Sequence, residues 1–278
     1  MAFHQYGVVY RNAVMSHLTP ARLASLRAIG ISLFAAAFLS AALLCTPHAV
    51  AQDNQATKAN LGIIGGKTVS AGEYTFVVAL RDKRDDRIFC TGQIVGDFWV
   101  LTAKHCIDGK IRPANAPFVV RTGRNMKEGK SIAVAAKNIF PNPALDVALL
   151  KLTTKITSAS VSKIPIRVEE PPPLQSEFVA VGWGLMRATD IQGATVLQKL
   201  DSLEVTTCQI KYHICGKFPE SGARTANGDS GGPAVYEQSG SLESFGVLSG
   251  INRKTPDRVD YVSSDAFYLW AIDTMQSH

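Results

Sequence analysis

Apolar residues in the body of this chain arrive in short runs, each too brief and too soon interrupted to carry a helical period. Residues 76–80, 98–102, 118–121 and 147–152 are such runs, rich in Val, Ile, Leu and Phe, with Gly, Asn, Asp and Pro between them. Short runs spaced by turn residues build an all-β sandwich or barrel. They stop at Thr153 and resume at 178–182, 198–205, 232–236 and 245–248, which gives two β domains of similar size. The interval 153–177, with Ser158, Ser160, Ser162 and the triple proline Pro171, Pro172, Pro173, reads as the connection between them. A helical pattern emerges only at the end, where Ser264 and Asp265 precede an amphipathic stretch from Phe267 to Met275. The 278 residues, 46% of them hydrophobic, suffice for one large core or two smaller ones.

The first 51 residues are of a different kind. They contain Arg11, Arg22 and Arg27, no acidic residue, and an apolar run from about Ala28 to Cys45 that ends before Pro47. Ala49, Val50 and Ala51 supply the small residues of a signal-peptidase site, so 1–51 reads as an export signal cleaved after Ala51, with Met15 as an alternative start. The run is short for a membrane span. A mature chain freed of it is secreted or periplasmic and makes no membrane contact. Loss of three arginines lowers the net charge of +6 to +3. Arg81, Lys83, Arg84 and Arg87 alternate with Asp82, Asp85 and Asp86, the pattern of a solvated loop and not of a nucleic-acid surface.

Cys45 leaves with the leader, and Cys90, Cys106, Cys208 and Cys215 remain. An even number of cysteines in an oxidising compartment implies two bridges, and of the three pairings we expect Cys90 with Cys106 and Cys208 with Cys215. A metal site at Cys208, His213 and Cys215 lacks a visible fourth ligand, so no metal is expected.

The chemistry centres on Gly228, Asp229, Ser230, Gly231, Gly232, Pro233. A serine between glycines can stand on a tight turn where a substrate backbone approaches and amides converge on an oxyanion. The same residues also fit the nucleophile elbow of α/β-hydrolases, but that fold places its histidine after the serine, and His278 is the only histidine downstream. The remaining order is His, Asp, Ser. Upstream, only His105 lies where a strand runs into a turn, within Leu101, Thr102, Ala103, Lys104, His105, Cys106.

Here the chain resembles the trypsin-like, chymotrypsin-fold serine proteases, whose histidine signature is matched at 101–106. Ile63 to Gly66 is similar to their mature amino terminus, 89–95 to their first disulfide strand, and 146–152 to the strand bearing their aspartate. Gly182, Trp183 and Gly184 resemble the start of their second barrel, 228–233 their nucleophile loop, and Tyr261 with Trp270 their closing strand and terminal helix. The resemblance implies an all-β fold of two six-stranded antiparallel β-barrels with a short C-terminal helix, divided at 63–165 and 166–278. It also implies a serine endopeptidase acting on polypeptides without a cofactor. Ser230 would be the nucleophile, His105 the general base and acid, Asp146 the orienting acid, and the amides of Gly228 and Ser230 the oxyanion hole. Residues 52–62 would be a propeptide whose removal by an activating protease lets the Ile63 ammonium pair with Asp229, a pair lost as alkaline pH deprotonates the amine.

Four positions depart from the family pattern. Gly62 stands where the family usually has Arg or Lys, so self-activation by a tryptic cut is not expected. Arg224 occupies the position of the pocket aspartate in trypsin-type members, which disfavours Lys or Arg before the scissile bond. Either Arg224 pairs with an acidic substrate side chain, or it turns to solvent while Ile251 and Val259 narrow the pocket beside Ser249. Ala226 replaces the cysteine of the pocket disulfide, and Gly250 a tryptophan. The alternative function is a catalytically silent binding or adhesion module on the same fold.

Overall fold

The computed structural model describes residues 63–251 and 254–278; the expected leader and propeptide, 1–62, lie outside the described residues. After the two-residue β1 (Lys67–Thr68), the first group of strands is β2 (Val77–Asp82), β3 (Ile88–Gly96), β4 (Trp99–Thr102), β5 (Phe118–Arg121), β6 (Ser131–Pro141) and β7 (Ala148–Leu152). They close into a barrel in the order β2-β3-β4-β7-β6-β5, antiparallel throughout. The second group is β8 (Glu177–Gly182), β9 (Gln198–Thr206), β10 (His213–Lys217), β11 (Pro233–Gln238), β12 (Ser241–Ile251) and β13 (Arg258–Ser263). These run β9-β10-β13-β12-β11-β8, and β8 pairs back with β9 to close a second barrel. The helix α1 (Ser264–Ser277) ends the chain.

The burial of each strand explains its composition. β4 and β7 are buried almost throughout because their outer faces are covered as well as their inner ones, and they read as unbroken apolar runs. One hydrophobic cluster accordingly joins Leu101, Leu149 and Leu150 of the first barrel to Val247 and Val262 of the second and Phe267 and Ala271 of α1. β9, covered on one side, alternates instead, with Leu203 and Val205 buried and Glu204 between them partly exposed. β6 is only partly buried and its apolar stretch, Ile132 to Ala136, is mostly alanine, which is why its strand pattern is faint in the sequence.

The first described residues reach across to the second barrel. Ile63 is fully buried in the core of the second barrel, and β1 adds to β9 through Lys67 opposite Lys199. The connection holds no strand over 153–176 but is pinned: the amide of Ile164 donates to the carbonyl of Ile94, and Ile166 bridges Ser244. Arg167 is buried there against Glu169 and Glu243, both at 2.9 Å. The charged turn between β2 and β3 is solvated at 83–87, but Asp82 points inward, contrary to a wholly solvated loop. Its hydrogen bond from Arg84 outweighs its burial and holds its carboxyl down at about 2, with Arg112 also near, at 3.7 Å. Among the described residues no helix is long and apolar enough to cross a membrane.

Candidate active site

His105 sits in a single 3₁₀ turn, Lys104–Cys106, that begins two residues after β4 ends. The turn is tied down on both sides. Cys106 is bridged to Cys90 of β3, and the Lys104 ammonium donates to the carbonyl of Asn142 at 2.7 Å. Asn142 in turn organises the loop before β7, its side-chain oxygen accepting the amides of Ala144 and Leu145, both at 2.9 Å. Asp146 is the next residue along, so the loop that orders it is anchored to the turn that carries the histidine.

The Asp146 carboxylate holds His105 at two points. One oxygen accepts the His105 backbone amide at 2.8 Å; the other lies 2.7 Å from Nδ1 and accepts the Ser249 hydroxyl at 2.6 Å. A carboxylate can only accept, so Nδ1 carries the proton and Nε2 is left with a lone pair facing away from Asp146. Burial pushes the Asp146 carboxyl up, but the hydrogen bonds from His105 and Ser249 outweigh it, and the group is held below its usual range.

Ser230 comes from the loop between β10 and β11, and the first barrel fixes that loop. The carbonyl of Ser230 accepts the amide of Thr91 on β3 at 2.9 Å. The hydroxyl of Thr91 accepts the Trp183 amide at 3.0 Å and donates to the Gly228 carbonyl at 2.8 Å. Gly228 and Gly231 have φ of +97° and +85°. A Cβ on Gly231 would lie 2.2 Å from the Thr102 hydroxyl and 2.3 Å from the Thr91 carbonyl, so the turn closes only with glycine there. Sequence reasoning alone does not single out Thr91. The available signal is a lone hydroxyl beside Cys90 within a run otherwise suited to a core strand.

His105 and Ser230 line one cavity of about 450 Å³, together with Gly228 and Asn227. Residues 63–270 match the family model described as Trypsin. The chain belongs to the trypsin family. It is also similar to "Serine protease SP24D" of Anopheles gambiae, 31% identical over 233 residues that cover 78% of this chain and 82% of that protein. Among solved structures it is similar in fold to neuropsin, a serine protease of mouse brain, with a TM-score of 0.64 at 20% identity, covering 77% of this chain and all of that one.

Within this trypsin-family chain, Asp229 has the least ordinary environment. Its carboxylate is 1% exposed and sits between Gly182 and Gly184, where any Cβ would strike it. The amides of Gly184 and Ala226 donate to its two oxygens, each at 2.8 Å. These bonds favour the ionised form, yet burial dominates and pushes the carboxyl up to about 7. Ile63 lies mid-chain in the full sequence and so carries no ammonium. Its neighbour Ile64 accepts the Arg224 amide at 2.8 Å, which ties this segment to the loop preceding Asp229.

Of the residues expected to form the substrate pocket, Ile251 and Val259 stand opposite each other across β12 and β13. Ser249 bonds to Asp146, Val259 is fully buried, and Ile251 is 42% exposed at the end of β12. Arg224 is exposed to solvent. None of Arg224, Ile251 and Val259 lines the cavity that holds His105 and Ser230. The sulfurs of Cys208 and Cys215, weighed above as metal ligands, are joined to each other at 2.02 Å.

Proposed function

We propose that this trypsin-family protein is an exported serine endopeptidase that hydrolyses peptide bonds through His105, Asp146 and Ser230. The observation that carries the reading is the double hold of Asp146 on His105, which leaves Nε2 as a base within the cavity that Ser230 lines. Nε2 takes the hydroxyl proton as Ser230 Oγ attacks the carbonyl carbon, and the imidazolium that forms is stabilised by Asp146, which stays ionised. The amides of Gly228 and Ser230 stabilise the oxyanion; removing one such donor costs about 3 kcal/mol. His105 then passes its proton to the departing amine, leaving an acyl ester on Ser230 that water, activated by the same imidazole, hydrolyses. This chemistry requires neither metal nor cofactor, and the two halves that frame it are read as 63–165 and 166–278.

The same reading makes the precursor a zymogen. Cleavage before Ile63 by another protease would create an ammonium in the core of the second barrel, and Asp229 is the buried carboxyl in need of a cation. For the residue before the scissile bond we favour a side chain other than Lys or Arg, because Arg224 supplies no negative charge and stands in solvent. Export through a cleaved 1–51 leader is consistent with the two disulfides. The test is labelling of the processed protein by a fluorophosphonate. Wild-type protein takes up one label and Ser230→Ala takes up none; absence of labelling in protein with Ile63 as its sequenced terminus overturns the reading.

A further inference from the structure

We propose that the hollow beside Ser230 binds the part of the polypeptide that follows the scissile bond, and that Ile111 and Ile191 make it select large apolar side chains there. The proposal rests on the endopeptidase reading and specifies its substrate class. Apart from His105, Ser230 and the Gly228 strand of the loop, the walls are mainly apolar: Phe89 of β3, Leu185, Ile111 and Ile191. Ile111 is 45% and Ile191 84% exposed. Isolated apolar residues on a surface are ordinary, but two that line, from different halves of the chain, the cavity holding the candidate nucleophile give that cavity apolar walls open to solvent.

The patch is built, not incidental. The loop bearing Ile191 is cinched at its base, where Leu185 bridges Gly193 and the Leu185 amide donates to the Asn227 carbonyl at 2.8 Å. Gly193 packs so closely that a Cβ would fall 2.3 Å from the Trp183 carbonyl. Ile111 stands on the loop that leaves the 3₁₀ turn of His105, itself bridged through Cys106. Arg87 and Asp190 border the same hollow with opposite charges, so neither sign of substrate charge is favoured over the other.

The direction of the bound chain follows from the proton transfer. His105 must hand its proton to the departing nitrogen, so that nitrogen, and the residues after it, begin beside His105. His105, Ile111 and Ile191 line the same hollow, whereas no residue of the β12 segment from Ser249 to Ile251 does. That segment is left for the residues before the bond. An extended chain advances about 3.3 Å per residue, so a hollow of this size takes one or two side chains.

Acyl transfer reads this side alone. The processed protein is acylated with a small N-acetyl amino-acid ester, and amino-acid amides compete with water for the acyl group. The amine nitrogen attacks the ester carbonyl, the bond from carbon to Ser230 Oγ breaks, and the amine proton passes through His105 to Ser230. Each buried methylene is worth about fourfold, so leucinamide and phenylalaninamide should outcompete glycinamide and glutamic acid diamide by about tenfold or more. The double variant Ile111→Ser, Ile191→Ser, with active sites counted by fluorophosphonate titration, should bring that ratio to within about twofold. A flat acceptor profile in the wild type, an unchanged preference in the double variant, or a change confined to the acyl side overturns the proposal while leaving the enzyme reading intact. Failure of the wild type to be labelled or acylated overturns the enzyme reading and this proposal with it.

Discussion

Replacing Asp229 by Asn in the uncleaved precursor should make it more stable at neutral pH, although the same change should abolish activity after processing. The carboxyl is raised from 3.8 to about 7 by burial. In the folded precursor it keeps a proton that the unfolded chain releases, so acid favours the fold. This contribution is whole below about pH 4, declines as pH climbs, and is gone above about pH 7. A displacement of that size corresponds to about 4 kcal/mol, or roughly 10 °C in Tm for a chain of this length. The amide introduced by Asp229→Asn would resemble the protonated acid, with one oxygen able to accept from Gly184 or Ala226 and no charge to desolvate. The assay is thermal unfolding of both precursors between about pH 4 and 8, followed as a difference so that other titrating groups cancel. The Tm values should nearly coincide at the acid end and diverge with rising pH in favour of Asp229→Asn. Parallel curves with a constant offset would refute the argument. Cleavage before Ile63 should remove the divergence by supplying the cation.

Further expectations follow from the same geometry. Asp146→Asn should lower kcat by about 10⁴, because the amide stabilises the wrong His105 tautomer, as measured on any ester that acylates the wild type. Thr91→Val leaves the Gly228 carbonyl and the Trp183 amide without their partner and should cost about 2–4 kcal/mol in urea unfolding, while Thr91→Ser should recover most of it. Gly231→Ala meets both a positive φ and two oxygens closer than any Cβ tolerates, and should destabilise the fold by roughly 3 kcal/mol. A peptide library varied before the scissile bond should show no preference for Lys or Arg; such a preference would refute the assignment of Arg224.

The barrels were legible because most of their strands are buried enough to need apolar runs, and the runs at 118–121 and 147–152 coincide with β5 and β7 to within a residue. β6 was not, since its apolar stretch is mostly alanine and poor in the β-branched and aromatic residues that mark a strand, and β10 was hidden within a short polar segment held by its own disulfide. Candidate site residues stood out where the proposed chemistry demands a particular side chain, as at His105, Asp146 and Ser230. Chain order separated the competing folds there. Positions whose role depends on tertiary placement were not: Thr91 matters only because the second barrel brings Gly228 to it, and Arg224 could be read towards the pocket or towards solvent until its exposure was known. Asp82 shows the converse, since alternating charges describe a solvated turn well yet do not reveal that one of them turns inward to Arg84 and Arg112.

The hydroxyl of Thr91 clasps a loop from the opposite half of the molecule, so neither half holds the turn that carries Ser230 on its own. A chain with one barrel formed and the other nascent would lack the clasp that fixes this turn. The shape of that loop is therefore a joint product of both halves and is complete only when they meet.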